Sequence, residues 1–318
     1  MGWPLRTPLA PTRANGWVWW AAVAGLGVGG GWLRRHRRSP AVRVWTPGSS
    51  RRIHAGPLAV RVLGDAEPTT VLLHGLIGSG DVFGAGFDPL ADHGGLVVPD
   101  LLGFGASMDL AREDFSLAAH LDALDAMASA LGLDGAPLTV VGHSMGAVLA
   151  LHWAARRERV CRVVAFCAPL YRDEEEARAH IGALGFLERL FALESPLARR
   201  TCALMCEHRG LAQWVAVAIS PQLPVRLARH GVLHTWSAYL GGMNDIILHA
   251  GWQDALARLD TRGVPVVLAE GAVDPVPVVG RSRELQRRFR CVARASHPEA
   301  GHDLPVPYPD WSARLISR

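Results

Sequence analysis

Cysteine is scarce in this chain of 318 residues, and what there is does not pair. The five cysteines are Cys161, Cys167, Cys202, Cys206 and Cys291. An odd number at irregular spacing does not read as a disulfide framework, so ordinary buried thiols in a reducing compartment are expected. Cys202 and Cys206 could share a helix face, yet no His or Cys pair accompanies them at metal-ligand spacing. No metal site and no cofactor site is therefore assigned. An excess of one charge is also nearly absent. Lys and Arg number 33 against 29 Asp and Glu, a formal charge of +4. The excess lies in one short stretch, Arg34, Arg35, Arg37, Arg38, Arg43, Arg51 and Arg52. Without that stretch the chain is close to neutral or acidic. Zinc-finger spacing, an RNP sequence and basic-aromatic alternation are all lacking, which argues against a nucleic-acid partner.

With 49% apolar and 19% charged residues, the chain reads as globular and long enough for one large α/β domain with an insertion. One long run without charge lies near the start. Residues 1–15 carry three prolines and two arginines and read as a disordered tail. Residues 16–33, GWVWWAAVAGLGVGGGWL, are uncharged and barely reach the roughly 17 residues that span a bilayer. Trp17, Trp19, Trp20 and Trp32 stand where an interfacial belt would put them. Arg34-Arg35-His36-Arg37-Arg38 occupies the place of a cleavage site, which argues against a signal peptide. A membrane anchor fits better and would leave the following chain on the cytoplasmic face. Six glycines weaken any helix here, and a poorly ordered Gly-rich extension is the plainer alternative.

From about residue 41 the pattern is that of a folded domain. Val42 and Val44, then Leu58, Val60 and Val62, alternate with polar or small residues and predict early strands. Apolar, β-branched runs follow at 69–73, 95–98, 138–141, 162–166, 264–268 and 291–295. Helical periodicity fills the gaps, at 116–131, 145–157, 277–289 and 310–316. Strand-helix alternation implies a mostly parallel sheet with helices on both faces. Residues 171–250 break the rhythm with helical periodicity alone and predict a cap over the strand ends. Its acidic run, Asp173-Glu174-Glu175-Glu176, reads as a solvated first turn. The expected division is thus 1–40 as tail and possible anchor, 41–170 with 251–318 as core, and 171–250 as helical cap.

The chemistry centres on Gly142-His143-Ser144-Met145-Gly146, placed between a β-branched strand and an Ala-rich helix. A sharp strand-to-helix turn needs small residues around a strained serine and aims its hydroxyl outward. A serine needs a base to take its proton, and the base a carboxylate to hold it. In chain order the candidates are Asp274, after the strand at 264–268, and His302, after the last strand. Glu270 competes with Asp274 but belongs to the strand end itself, and Asp303 is too close to His302 to orient its ring. Oxyanion donors are expected from the backbone of Met145 and of Leu76. His74 and His143 are expected to hold loops by hydrogen bonding and not to act as bases.

These pieces together resemble the α/β-hydrolase fold family. The resemblance rests on His74-Gly75-Leu76-Ile77-Gly78, on Pro99-Asp100-Leu101-Leu102-Gly103-Phe104-Gly105-Ala106-Ser107, on the elbow at Ser144, on Gly271-Ala272-Val273-Asp274-Pro275 and on Gly301-His302. They occur in the family's order over residues 55–318. The resemblance implies an eight-stranded sheet, a helical cap and a triad of Ser144, Asp274 and His302. Serine as nucleophile speaks against the branches that attack through aspartate. The expected activity is hydrolysis of an ester or thioester of an apolar acyl or aryl group, a small lipid-like substrate. An acyltransferase, a carbon–carbon bond hydrolase or a perhydrolase would use the same residues, and a non-catalytic binding protein would keep only the fold.

Overall fold

The computed structural model describes residues 29–49, 51–184, 196–248 and 251–318. Eight strands form one sheet: β1 (Arg52–Ala55), β2 (Leu58–Leu63), β3 (Thr69–Leu73), β4 (Gly95–Pro99), β5 (Leu138–His143), β6 (Val160–Phe166), β7 (Val266–Gly271) and β8 (Val292–His297). Their spatial order is β1-β2-β4-β3-β5-β6-β7-β8. The β1–β2 and β2–β4 pairs are antiparallel, and every later pair is parallel. Strands β3 and β5 are therefore central, and their apolar runs, Val71 to Leu73 and Val140 to Val141, are fully buried. Strands covered on both faces can be apolar at every position, which explains the absence of alternation there.

Helices cover both faces. Residues 29–38 form α1, followed by α2 (Pro40–Val44), α3 (Leu117–Ala130) and α4 (Met145–Arg156). Ser116 caps α3, its hydroxyl accepting from Ala119 N–H at 3.3 Å. Between β6 and β7 every described element is helical: α5 (Glu174–Leu184), α6 (Pro196–Glu207), α7 (Arg209–Ile219), α8 (Val225–His230), α9 (Trp236–Gly241) and a π-helix at Gly242–Leu248. The chain then returns to the sheet through α10 (Trp252–Thr261), which leads into β7; α11 (Arg281–Arg288) joins β7 to β8, and α12 (Pro309–Ile316) follows β8. Trp252, buried at the start of α10, donates its indole N–H to Tyr171 O and ties the two ends of the helical stretch together.

Two expectations need correction, and a third falls largely outside the described residues. Val42 and Val44 are not in a strand: Pro40–Val44 is a short helix with proline at its start, where a missing N–H costs nothing. Its one buried residue, Ala41, packs against Leu227 and Val306, so a tertiary contact overrides the alternation. The acidic run is not wholly solvated either. Glu176 accepts from Arg172 N–H at 2.7 Å and pairs with the buried Arg281 at 2.7 Å. The predicted anchor, 16–33, lies for the most part outside the described residues. Trp32, its far end, donates its indole N–H to Val217 O on α7 at 3.1 Å. Among the described residues no helix is long and apolar enough to cross a membrane.

One buried charge braces the antiparallel edge. Arg61 on β2 is almost fully buried, paired with Asp88 and donating to Phe83 O. Removing one partner of a buried pair strands the other charge. The Asp88→Asn substitution is expected to cost about 3 kcal/mol of stability, read as a lowered denaturant midpoint with an unchanged slope.

Candidate active site

The turn between β5 and α4 is built by close approach. A side chain at Gly142 would meet Gly146 O at 2.0 Å, and one at Gly146 would meet Leu73 O at 2.3 Å and His74 O at 2.4 Å. Only glycine lets the start of α4 lie against the end of β3. Ser144 takes φ 53° and ψ −121° there, a conformation that L-residues rarely adopt and that persists only when its surroundings fix it. Its N–H donates to Phe166 O at 2.9 Å, at the end of β6.

The structure brings the three predicted side chains together. His302 Nε2 lies 3.0 Å from Ser144 Oγ, and its Nδ1 lies 3.1 and 3.2 Å from the two Asp274 oxygens. The carboxylate side fixes the tautomer: Nδ1–H donates to Asp274, leaving Nε2 as acceptor for the serine proton. The Asp274 side chain has no exposed surface. Burial alone would raise its pKa, but the bonds from His302, from Val276 N–H at 2.9 Å and from the Cys167 thiol hold it below the ordinary carboxylate value. The competing carboxyls stand elsewhere. Glu270 accepts from Ser282 Oγ at 2.8 Å and pairs with Arg294 at 2.9 Å. Burial raises the Asp303 pKa.

Two further histidines hold the loops. Leu101 N–H donates to His74 Nε2 at 2.8 Å, so Nδ1 carries the proton and donates to Gly75 O at 2.7 Å. In a trans peptide the N–H points opposite to the carbonyl. Tying Gly75 O to the ring therefore turns Leu76 N–H away from His74. Leu76 lines the same cavity as Ser144. Met145 opens α4, and the first N–H groups of a helix have no acceptor within it. His143 Nε2 donates to His302 O at 2.6 Å, so the residue before the serine pins the residue that faces it. Burial pushes His143 down to about 3 and lowers His74, and both rings are neutral.

A cavity of about 290 Å³ opens at Ser144. Its walls are apolar: Leu76, Ile77 and Pro169 from the core, with Tyr171, Ile181, Leu184, Tyr239, Met243 and Ile247 from the helical stretch. Sequence reading missed two of its features. The π-helix at Gly242–Leu248 sets Met243 and Ile247 into the wall, and a single extra residue per turn leaves no trace in composition. Cys167, at the end of β6 with φ 52°, sits behind Asp274. His143, Cys167 and His302 each bring one ligand atom within 4.8 Å of the others. Burial holds that thiol protonated, and both nitrogens of His302 are engaged by Asp274 and Ser144, so the donor set does not suit a metal ion.

The fold and the site fit a known family, and sequence comparison decides it. Pimeloyl-[acyl-carrier protein] methyl ester esterase of Chromobacterium violaceum is 31% identical over 264 residues, covering 77% of this chain and 91% of the relative. Residues 68–192 match the family described as the alpha/beta hydrolase fold. The chain belongs to the α/β-hydrolase fold family. A thermophilic esterase from Thermogutta terrifontis superposes on this α/β hydrolase with a TM-score of 0.58 at 20% identity, covering 84% of this chain and 97% of that one. The haloalkane dehalogenase DatA from Agrobacterium tumefaciens superposes with a TM-score of 0.60 at 20% identity, over 85% and 95%. Likeness at that level is likeness of fold, which hosts several chemistries.

The buried neutral histidines carry a pH signature. Burial lowers His120 and His234 to about 4 and His143 to about 3. Each has a folded pKa below its unfolded value of about 6.5, so the unfolded chain binds more protons in between. Their contribution is complete above roughly pH 6.5 and is lost as the pH falls toward about 4, at up to about 1.4 kcal/mol per pH unit for each. Denaturant midpoints are expected to fall steadily through this window, and His120→Gln to flatten the dependence.

Proposed function

We propose that this α/β hydrolase cleaves an ester or thioester of an apolar acyl or aryl group through a covalent acyl-serine. The observation that carries the reading is the 3.0 Å approach of His302 Nε2 to Ser144 Oγ at the floor of an apolar cavity. His302 takes the hydroxyl proton as Ser144 attacks the carbonyl carbon, and Asp274 steadies the imidazolium that forms. The N–H groups of Leu76 and Met145 receive the charge on the carbonyl oxygen. His302 then gives its proton to the departing alcohol or thiol, and water, deprotonated by the same ring, releases the acid. The cavity offers a carbonyl substrate an apolar wall and no charged side chain among its described lining residues, which favours a lipid-like acyl chain over a sugar or a peptide. The Chromobacterium relative is by name a methyl ester esterase, which supports ester hydrolysis here.

Hydrolysis of p-nitrophenyl esters of graded acyl length tests this reading. Ser144→Ala is expected to abolish turnover, and Asp274→Asn to lower kcat by about 10⁴ with the fold intact. Activity is expected to peak at an acyl length that fills the cavity, and Ile247→Trp to shift that optimum to shorter chains. Unchanged turnover in Ser144→Ala would remove the reading.

A further inference from the structure

Helix α7 wears its apolar face outward. Its buried residues are only Ala212 and Val217. Leu211, Trp214, Val215, Ala218 and Ile219, spaced as one helical stripe, are exposed, with Leu211 at 67%, Trp214 at 63% and Ile219 at 69%. A helix on a globular domain turns such a stripe to the core, and so large an exposed patch marks a contact surface. Leu204 on α6 is exposed as well.

A second, independent feature lies beside it. Helix α1 is fastened to the same helix and to the loop after it: Trp32 bonds to Val217 O at 3.1 Å and His36 Nδ1 to Pro221 O at 2.9 Å. It carries Arg34, Arg35, Arg37 and Arg38, all exposed and without an ion-pair partner among the described residues. Arg34, Arg35 and Arg38 line one cavity of about 520 Å³ whose wall also holds Glu299 and Asp303, so three guanidinium groups outnumber two carboxyls there. The guanidinium of Arg229 adds a further charge 5.7 Å from the Trp214 ring. Residues 16–28, which lead into α1, contain no charge and include three tryptophans.

We propose that α7 and α1 together form a docking surface for a lipid bilayer bearing anionic headgroups. The stripe enters the boundary between headgroups and acyl chains, and the arginines meet the phosphates. An apolar face with a tryptophan, flanked by arginine, matches both layers of such a leaflet. An acidic protein would satisfy the arginines and leave the stripe in water. A second copy docked through α7 would cover the stripe but draw two arginine helices to one seam. None of these residues lines the Ser144 cavity, and the proposal does not depend on the chemistry proposed there.

Flotation of the full-length chain with phosphatidylcholine vesicles, with and without phosphatidylglycerol, tests the proposal. Wild type is expected to float with phosphatidylglycerol vesicles and to be released by salt. The single Trp214→Ser and the triple L211S/W214S/I219S should weaken binding, the triple by about tenfold or more. R34Q/R35Q/R37Q/R38Q should lose the preference for phosphatidylglycerol, at about fivefold for each arginine. Thermal midpoints and turnover of a water-soluble short ester are expected to stay at wild-type values, since none of these residues lines the Ser144 cavity. A wild type that does not float overturns the proposal. So does undiminished flotation of the triple variant, which would assign binding to residues outside α7. Loss of self-association in the triple variant with no change on vesicles would make the face a contact between copies and equally overturn it. Absence of ester turnover in wild type would bear on the proposed reaction alone.

Discussion

The structure depends on a contact with no room for a side chain. Gly146 lies on the carbonyls of Leu73 and His74, and Gly142 on the carbonyl of Gly146. This presses the first turn of α4 onto the end of β3 and forces Ser144 into its positive-φ conformation. The rest of the site is tied to that turn by short polar links. Ser144 N–H holds the end of β6, His143 holds the backbone of His302, and His74 holds the loop of Leu76. Four separate segments thus meet at the ends of central strands, where parallel neighbours on both sides keep them rigid.

Electrostatically the site is sparse. His74 and His143 are neutral because burial makes their protonation costly, so they act as fixed donors of known direction. Asp274 is held ionised against the same burial by hydrogen bonds from three sides. One buried anion beside one imidazole, in walls that are otherwise apolar, favours the imidazolium that a proton transfer from serine would create. The cost of keeping several histidines neutral is sensitivity to acid, which is a property of the whole domain and not of the site alone.

Much of this was legible in the sequence, for reasons specific to each part. Buried parallel strands announce themselves as short β-branched runs, and the elbow as small residues around a serine between strand and helix. Asp274 could be preferred to Glu270 because it lies past the strand end, free to turn toward His302, whereas Glu270 is engaged by Ser282 and Arg294. What escaped was set by contacts between distant segments. Val42 and Val44 alternate as a strand does, yet Ala41 between Pro40 and Val42 packs on Leu227 and Val306 and the segment is helical. Cys167 reads as one more buried thiol until the fold sets it behind Asp274. The π-helix that shapes the cavity wall and the outward stripe of α7 depend on which face of a helix meets its neighbours, and periodicity alone does not say which.

The central claim is that this constellation makes Ser144 a nucleophile. Mass-spectrometric mapping of the adduct formed with a fluorophosphonate measures that directly. The account predicts a single modified serine, Ser144, with labelling strongly slowed by His302→Ala and absent in Ser144→Ala. No labelling of the folded wild type, or a modified serine elsewhere in the chain, would contradict it.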